Sequence, residues 1–536
     1  MSLERKEVTK MQNEYKEIIH GMQQNPLHYE WYGLLGRYYA EQGQSNLAYL
    51  CYEQGIHFCN EREEKQSLEE ELERAASQPD FGVNPVSIVI LAQDDVSVLR
   101  EALDSIQEQQ SGTPYEIVVV CQTSFRYVYE QAEKCERARF ICSESKKESF
   151  GEGINTGIKN TKIHNDIYLM SSDAVLLPNT LFWLRMSLYE RQTIGAAGGI
   201  SNVGDKRQRF EPPCKTMEEY KAASEILNIP DDFAHENRLW LDSFSLLIKR
   251  SALDRVGLFE TDQTCWYSCI DYGMKLAGAG REAVLCYNSF IWRRGKEHIQ
   301  YDPDDFDRLK DRWGFSVPYY FASRLDIVEK IHHEQQEEIW VLEVGCGCGT
   351  TLSAIRCQYP NAHVYGIELM EHVAAYGTYM ADIVVGDIET MEIPYEKNMF
   401  DYIIFADVLE HLRRPEQVLE RMKHFLKQDG TILASIPNLM NIEIVINLLK
   451  GNFTYRDAGL LDRTHIHLFT LREIQKMLQD TGYVVKAVQK NDHREGFLED
   501  TPENRRMIEA LFQIEGIADW KEFDAYQYLV EAALCV

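Results

Sequence analysis

Residues 341–350, VLEVGCGCGT, leave the chain few alternatives: an apolar β-branched run stops in three alternating glycines and gives way to a helical pattern over 352–359. Gly345, Gly347 and Gly349 carry no Cβ, so the backbone there can turn tightly, adopt positive φ and approach a ligand at a strand end. Glu343 brings a carboxylate to the same place. Thr350 stands where a dinucleotide fingerprint needs a third Gly or Ala, which argues against NAD. The next strand pattern, 363–367, ends in Glu368, where a carboxylate can accept both hydroxyls of a ribose. The one after, 383–385, ends in Gly386 and Asp387. Successive strand ends therefore each present a ligand group.

This order resembles the class I methyltransferases that use S-adenosylmethionine, from about Ile339 to the C-terminus. The wider pattern is more specific than the glycines. FDYIIFAD (400–407), VLEHL (408–412), Pro415 opening a helix, a KQDG turn (427–430) and SIPN (435–438) are similar to the small-molecule and sugar branch of that family. The resemblance implies that Gly345 and Gly347 pass beneath the amino-acid end of the cofactor, with Glu343 and Gly349 in the same loop. It further implies that Glu368 holds the ribose, that Asp387 faces the adenine amine and that Asp407 belongs to the cofactor site. Asp407, Glu410 and His411 lie at i, i+3 and i+4 and share one face if the segment is helical. With His465 or His467 of the polar loop GLLDRTHIH (459–467) closing over them, they can deprotonate an acceptor hydroxyl or bind a divalent ion. His411 is the expected base. The alternative is that Glu410 and His411 cap and orient the segment.

The formal charge of −29 and pI near 5.0 argue against nucleic acid as a partner, because its phosphates require a basic surface. The thirteen cysteines are scattered through apolar strands and the glycine loop, not in paired metal spacings, so reduced thiols and a cytoplasmic location are expected. No segment approaches the roughly 20 apolar residues that a bilayer demands.

The first eighty or so residues show helical periodicity. Tyr32, Leu35, Gly36, Tyr39, Ala48, Tyr52 and Gly55 fall at the spacings of one tetratricopeptide-like unit. One such hairpin cannot bury a continuous core alone, so it packs on the next domain as a cap or docks a protein partner. Residues 61–76 read as a solvated, charged helix.

At Pro85 the pattern changes to apolar runs of strand length, 86–91 and 116–120, around an amphipathic helix at 98–107: a βαβ unit and a parallel sheet. GEGINTG (151–157), a strand at 166–170, SSD (171–173) and LLP (176–178) follow. Together with residues 242–250, GLFE (257–260), and Asp271 before Lys275 and Gly280, they resemble a family 2 glycosyltransferase of GT-A fold over about 85–298. The resemblance implies that Asp173 holds a divalent Mn or Mg ion on the diphosphate of a nucleotide sugar. Asp271 is then the matched carboxylate for the acceptor proton. This chain departs from the family at functional positions: Cys121-Gln122 stands where an Asp usually reads the base, and Ser268-Cys269 where a Glu-Asp pair is usual. The usual His falls on Trp292, with His298 as a substitute.

Residues 306–331 read as an interdomain linker and the first methyltransferase helix, 441–449 and 501–514 as helices, and 526–533 as the last strand. The expected architecture is α/β, two doubly wound Rossmann-like sheets preceded by a small helical region. Its segments are 1–84 helical, 85–305 GT-A-like, 306–336 linker and helix, and 337–536 methyltransferase. The expected function is a bacterial-type bifunctional glycan-modifying enzyme using a nucleotide sugar and S-adenosylmethionine on a glycan or glycosylated acceptor. The alternative is a methyltransferase whose GT-A-like domain is a degenerate carbohydrate-positioning module.

Overall fold

The computed structural model describes residues 2–92, 95–109, 115–121, 138–142, 149–204, 208–231, 234–261, 263–295, 302–321, 323–492, 496, 498–514 and 521–535. The chain divides into two compact units, Met1–Pro318 and Tyr319–Val536. None of the described helices is long and apolar enough to cross a membrane. No described cysteine forms a disulfide.

The first unit opens with helices α1 (Ser2–Gln24), α2 (Tyr29–Glu41), α3 (Ser45–Phe58) and α4 (Arg62–Ala76). Gly36 lets the Tyr52 ring close on α2, since a Cβ there would lie 2.5 Å from it. The hairpin is a cap within this unit. Tyr32 meets Phe182 edge to face at 5.3 Å, Gln54 donates to Asn179 at 2.9 Å, and Glu53 pairs with Arg185 where both side chains are only 7% exposed. So buried a pair resists removal of either partner, which fixes the helices to helix Thr180–Glu190.

Behind this cap lies a sheet whose described strands are β1 (Val86–Ala92), β2 (Glu116–Cys121), β3 (Arg139–Cys142), β4 (Asp166–Ser171), β5 (Ala174–Val175), β6 (Ile194–Ser201), β7 (His235–Arg238), β8 (Ser245–Ile248) and β9 (Glu282–Arg293). Their order is β3-β2-β1-β4-β8-β6-β9-β5, with β7 also on β9. The β3-β2-β1-β4 part is parallel. Its near-continuous apolar runs, such as Val86–Ala92, suit strands covered on both faces. The strand order reverses between β1 and β4, which places Asp173 just past the end of β4.

The second unit holds β10 (Trp340–Val344), β11 (His363–Glu368), β12 (Asp382–Val385), β13 (Phe400–Ala406), β14 (Leu426–Pro437), β15 (Tyr483–Asn491) and β16 (Gln527–Leu534), in the order β12-β11-β10-β13-β14-β16-β15. The first five are parallel, and β16 runs antiparallel between β14 and β15. Strand order reverses between β10 and β13, where a doubly wound sheet leaves a crevice at its carboxyl edge.

The segment read as a linker and one methyltransferase helix is three short helices: Asp304–Trp313, Val317–Tyr320 and Leu325–Val328. Gly314, in the left-handed conformation at φ 81°, ends the first of them. That first helix lies with the first unit, because Arg312 pairs with Asp271 at 2.6 Å and Phe306 packs on Trp266.

Candidate functional site

At the carboxyl end of β10 the glycine loop turns as its composition requires: Gly345, Gly347 and Gly349 have φ of 71°, 56° and 73°. A Cβ on Gly345 would lie 2.6 Å from Val408, and one on Gly347 would lie 2.9 Å from the Tyr320 ring. Glu368, 5% exposed at the end of β11, accepts the Gly347 amide at 2.8 Å and the Met370 amide at 2.9 Å, one on each oxygen. A carboxylate oxygen has two lone pairs, so each retains one, the set a vicinal diol needs. Burial pushes the Glu343 carboxyl up to about 8, although the Thr351 hydroxyl and the Arg324 guanidinium oppose it. Its Oε2 has no hydrogen-bond partner. A pinched backbone, a diol acceptor and an orphaned buried carboxyl oxygen fit a ligand that carries a ribose and a polar tail.

The other two strand ends differ from each other. Asp387, past β12, is exposed and turned onto its own chain, accepting the Glu389 amide at 2.9 Å and the Thr390 hydroxyl at 3.2 Å. Asp407, past β13, has φ 54° and is clamped. Arg324 donates to its Oδ2 at 2.5 Å, Ser435 donates to Oδ1, and the Gln527 amide lies 3.3 Å from Oδ1 once its oxygen and nitrogen are exchanged.

Asp407 is therefore separate from the group expected beside it. Only Leu409–His411 is helical there, as one 3₁₀ turn, and Asp407 lies outside it. Glu410, His411 and His465 instead bring one ligand atom each within 4.8 Å of one another. The backbone builds this: the Ile466 and His467 amides donate to the Glu410 carbonyl at 2.9 and 3.0 Å, folding the 459–467 loop over the turn. Nδ1 of His411 faces the Thr464 carbonyl at 3.2 Å, and Nδ1 of His465 faces the Leu460 carbonyl at 3.1 Å. A carbonyl can only accept, so Nδ1 is the donor in each ring, and in the neutral imidazole that leaves Nε2 as the acceptor. Glu410 is 1% exposed and neither carboxylate oxygen has a hydrogen-bond partner. Burial, then the charge of Asp407, holds its carboxyl well above the usual range. Burial and His411 hold His465 below its ordinary value. The His467 ring turns away toward the Arg413 carbonyl.

In the first unit both expected carboxylates are already neutralised. Arg293 Nε lies 3.1 Å from Asp173 Oδ1 and its Nη2 3.5 Å from Oδ2. Ser171 donates to Oδ1 at 2.5 Å and the Gly295 amide to Oδ2 at 3.1 Å. A cation can bind Asp173 only if Arg293 leaves. Asp271 is fully buried, between Lys275 Nζ at 3.0 Å and Arg312 Nε at 2.6 Å, and Glu260 extends the network to both cations. Each Asp271 oxygen thus faces one cation, and neither has a hydrogen-bond partner. Cys121 is buried at the end of β2 and Trp292 packs beside Tyr220 at 5.8 Å. Gln122 and His298 lie outside the described residues.

Residues 84–316 match the model of a glycosyltransferase-like family 2, and residues 294–488 match that of a methyltransferase domain. The chain carries both domains. The methyltransferase domain is 24% identical over 170 residues to a ubiquinone biosynthesis O-methyltransferase of Rickettsia canadensis, covering 30% of this chain and 70% of that protein. It is 25% identical over 182 residues to a malonyl-[acyl-carrier protein] O-methyltransferase of a Paenibacillus species, covering 32% and 64%. Among solved structures, an Aquifex aeolicus SAM-dependent methyltransferase aligns at 18% identity and TM-score 0.28, covering 44% of this chain and 98% of that one. GalNAc-T7 with UDP, GalNAc and Mn²⁺ aligns at 13% identity and TM-score 0.35, covering 46% and 51%.

Sequence reasoning missed the cations and rings that surround these groups. In the methyltransferase domain, Tyr320 covers Gly347 and Arg324 ties Asp326, Asp407 and Ser435 together. The local pair with Asp326 in SRLD (323–326) does not mark Arg324 as part of the site, because Asp407 and Ser435 stand 83 and 111 residues away. In the glycosyltransferase-like domain a signal did exist: Arg293 ends the long apolar strand β9 and Arg294 directly follows it, beside the segment that carries Asp173.

Proposed function

We propose that the methyltransferase domain moves a methyl group from S-adenosylmethionine to a hydroxyl of a sugar or related small acceptor, within a glycan-modifying enzyme. The observation that carries this reading is the Glu368 carboxylate, held by two amides at a strand end with one lone pair free on each oxygen. In this reading Glu368 binds the ribose, the 345–349 loop approaches the amino-acid end, Glu343 faces its ammonium group and Asp387 opens toward the base. The sulfonium supplies an already electrophilic methyl, so the protein's part is to align the acceptor oxygen in line with it. His411 Nε2 takes the acceptor proton as the new bond forms.

A second role for the same cluster is favoured by the buried Glu410 carboxylate, which has no hydrogen-bond partner and lies 4.0 Å from His465 Nε2: Glu410, His411 and His465 as ligands of a divalent ion that lowers the acceptor's pKa. Radiolabelled methyl transfer to a panel of nucleotide sugars and glycans, with and without chelator, tests both. No transfer with any hydroxyl acceptor, or none lost in His411→Ala, ends the base assignment. Full activity in strong chelator ends the metal.

For the glycosyltransferase-like domain, the pairing of Asp173 with Arg293 and of Asp271 with Arg312 and Lys275 favours the positioning-module reading. Sugar transfer would require Arg293 and Arg312 to release their carboxylates to a cation and an acceptor. Mn²⁺-dependent hydrolysis of nucleotide sugar, abolished by Asp173→Ala, would establish the bifunctional enzyme. Absent hydrolysis with retained carbohydrate binding supports the module.

A further inference from the structure

Helix Cys265–Gly278 carries two thiols one turn apart, Cys265 half-buried and Cys269 3% exposed. Gly273 presses this helix onto the chain between β7 and β8: a Cβ there would lie 2.0 Å from the Leu239 carbonyl and 2.8 Å from Trp240 Cα. That contact brings Asp242 and Ser243 beside the helix's first turn. Asp242 is steadied by its own amide, which donates to Gln208 at 2.7 Å, and the Ser243 hydroxyl lies 3.4 Å from Cys265 Sγ. The Asp242 carboxylate and the Cys265 and Cys269 sulfurs each place a ligand atom within 4.8 Å of the others.

We propose that Asp242, Cys265 and Cys269 form a binding site for a thiolate-preferring divalent ion, Zn²⁺, in the glycosyltransferase-like domain, with the fourth position left to water or the Ser243 hydroxyl. Two sulfurs and one carboxylate are a set that tetrahedral Zn²⁺ accepts and that Mg²⁺ or Mn²⁺ does not favour. A disulfide is not the alternative. Helix positions i and i+4 hold their Cβ atoms about 5–6 Å apart, whereas a disulfide needs roughly 3.5–4.5 Å. Binding converts both thiols to thiolates and releases their protons to solvent. The site is independent of Asp173, whose carboxylate Arg293 occupies, and it includes the cysteine standing where the family usually has an acid.

The test uses the full chain, stripped with chelator under reducing conditions and titrated with Co²⁺ and then Zn²⁺. The expected result is a near-ultraviolet thiolate-to-Co²⁺ band that saturates at one thiolate-bound ion per chain, and displacement of that band by Zn²⁺. The band should be lost in Cys269→Ser and in Cys265→Ser, weakened in Asp242→Asn, and kept in Cys214→Ser. Cys265 is half-buried, so the Cys265→Ser chain should melt at the wild-type temperature in chelator, which separates lost binding from lost folding. A wild-type chain with no band, or an unchanged band in Cys265→Ser and Asp242→Asn, overturns the site.

Discussion

The Glu368 carboxylate accepts the Gly347 amide at 2.8 Å, so the residue expected to bind ribose also fixes the turn expected to pass beneath the cofactor. Glu368→Ala removes both roles. A hydrogen bond to a charged group contributes roughly 1.5–3 kcal/mol, so affinity for S-adenosylmethionine should fall about 10- to 150-fold. Glu368→Gln, which keeps an acceptor of the same length, should lose less. Calorimetric titration decides, and an Ala variant that binds as well as the parent removes Glu368 from the site.

Glu343 makes stability depend on pH. Its carboxyl titrates at about 8 in the folded chain against 4.5 as the reference value, because burial disfavours the anion. Between those values the folded state holds a proton that the unfolded state has lost. The contribution is therefore complete below the lower value and is lost as pH rises through the upper one, with a slope of at most about 1.4 kcal/mol per pH unit. Glu343→Gln should be less sensitive than the parent between mildly acidic and mildly alkaline pH in urea unfolding of the second unit. Equal slopes in the two proteins would show that another group sets the dependence.

Asp271 is buried within its ion pairs, so its removal should be costly. Taking one partner from a buried ion pair costs about 3–5 kcal/mol. Asp271→Ala should fall toward the lower end, since Arg312, with its side chain 36% exposed, can rehydrate. Thermal unfolding of the first unit measures this. A variant with unchanged stability that has lost sugar transfer would return Asp271 to the role of base.

Both sheets and most helix positions were legible because strands buried on two faces read as continuous apolar runs, and the glycines of 345–349 mark a turn at positive φ. The expected 383–385, 363–367 and 526–533 strands are Asp382–Val385, His363–Glu368 and Gln527–Leu534. Side-chain partners were not legible. Asp173 and Asp407 read as free carboxylates, yet Arg293 stands 120 residues from the first and Arg324 83 residues from the second. Only the fold brings those charges together. The cluster of Glu410, His411 and His465 was half-visible: the polar loop announced its histidines, but the choice of His465 over His467 depends on which amides meet the Glu410 carbonyl.

Asp407 gives the sharpest separation between holding a cofactor and holding the fold. Its φ of 54° is left-handed, a conformation Asn and Asp tolerate better than other side chains with a Cβ. Asn at this position keeps that tolerance and the contact to Ser435 but loses the charge that Arg324 meets at 2.5 Å. Ala loses all three. Stability should therefore fall in the order parent, Asp407→Asn, Asp407→Ala, with the step to Ala larger by about 1–2 kcal/mol for the backbone alone. Because Arg324, Ser435 and Gln527 already occupy the carboxylate, cofactor affinity should follow stability through the two variants. If Asp407→Asn instead unfolds like the parent in urea while its affinity for S-adenosylmethionine drops tenfold or more, Asp407 touches the cofactor directly and the clamp opens on binding.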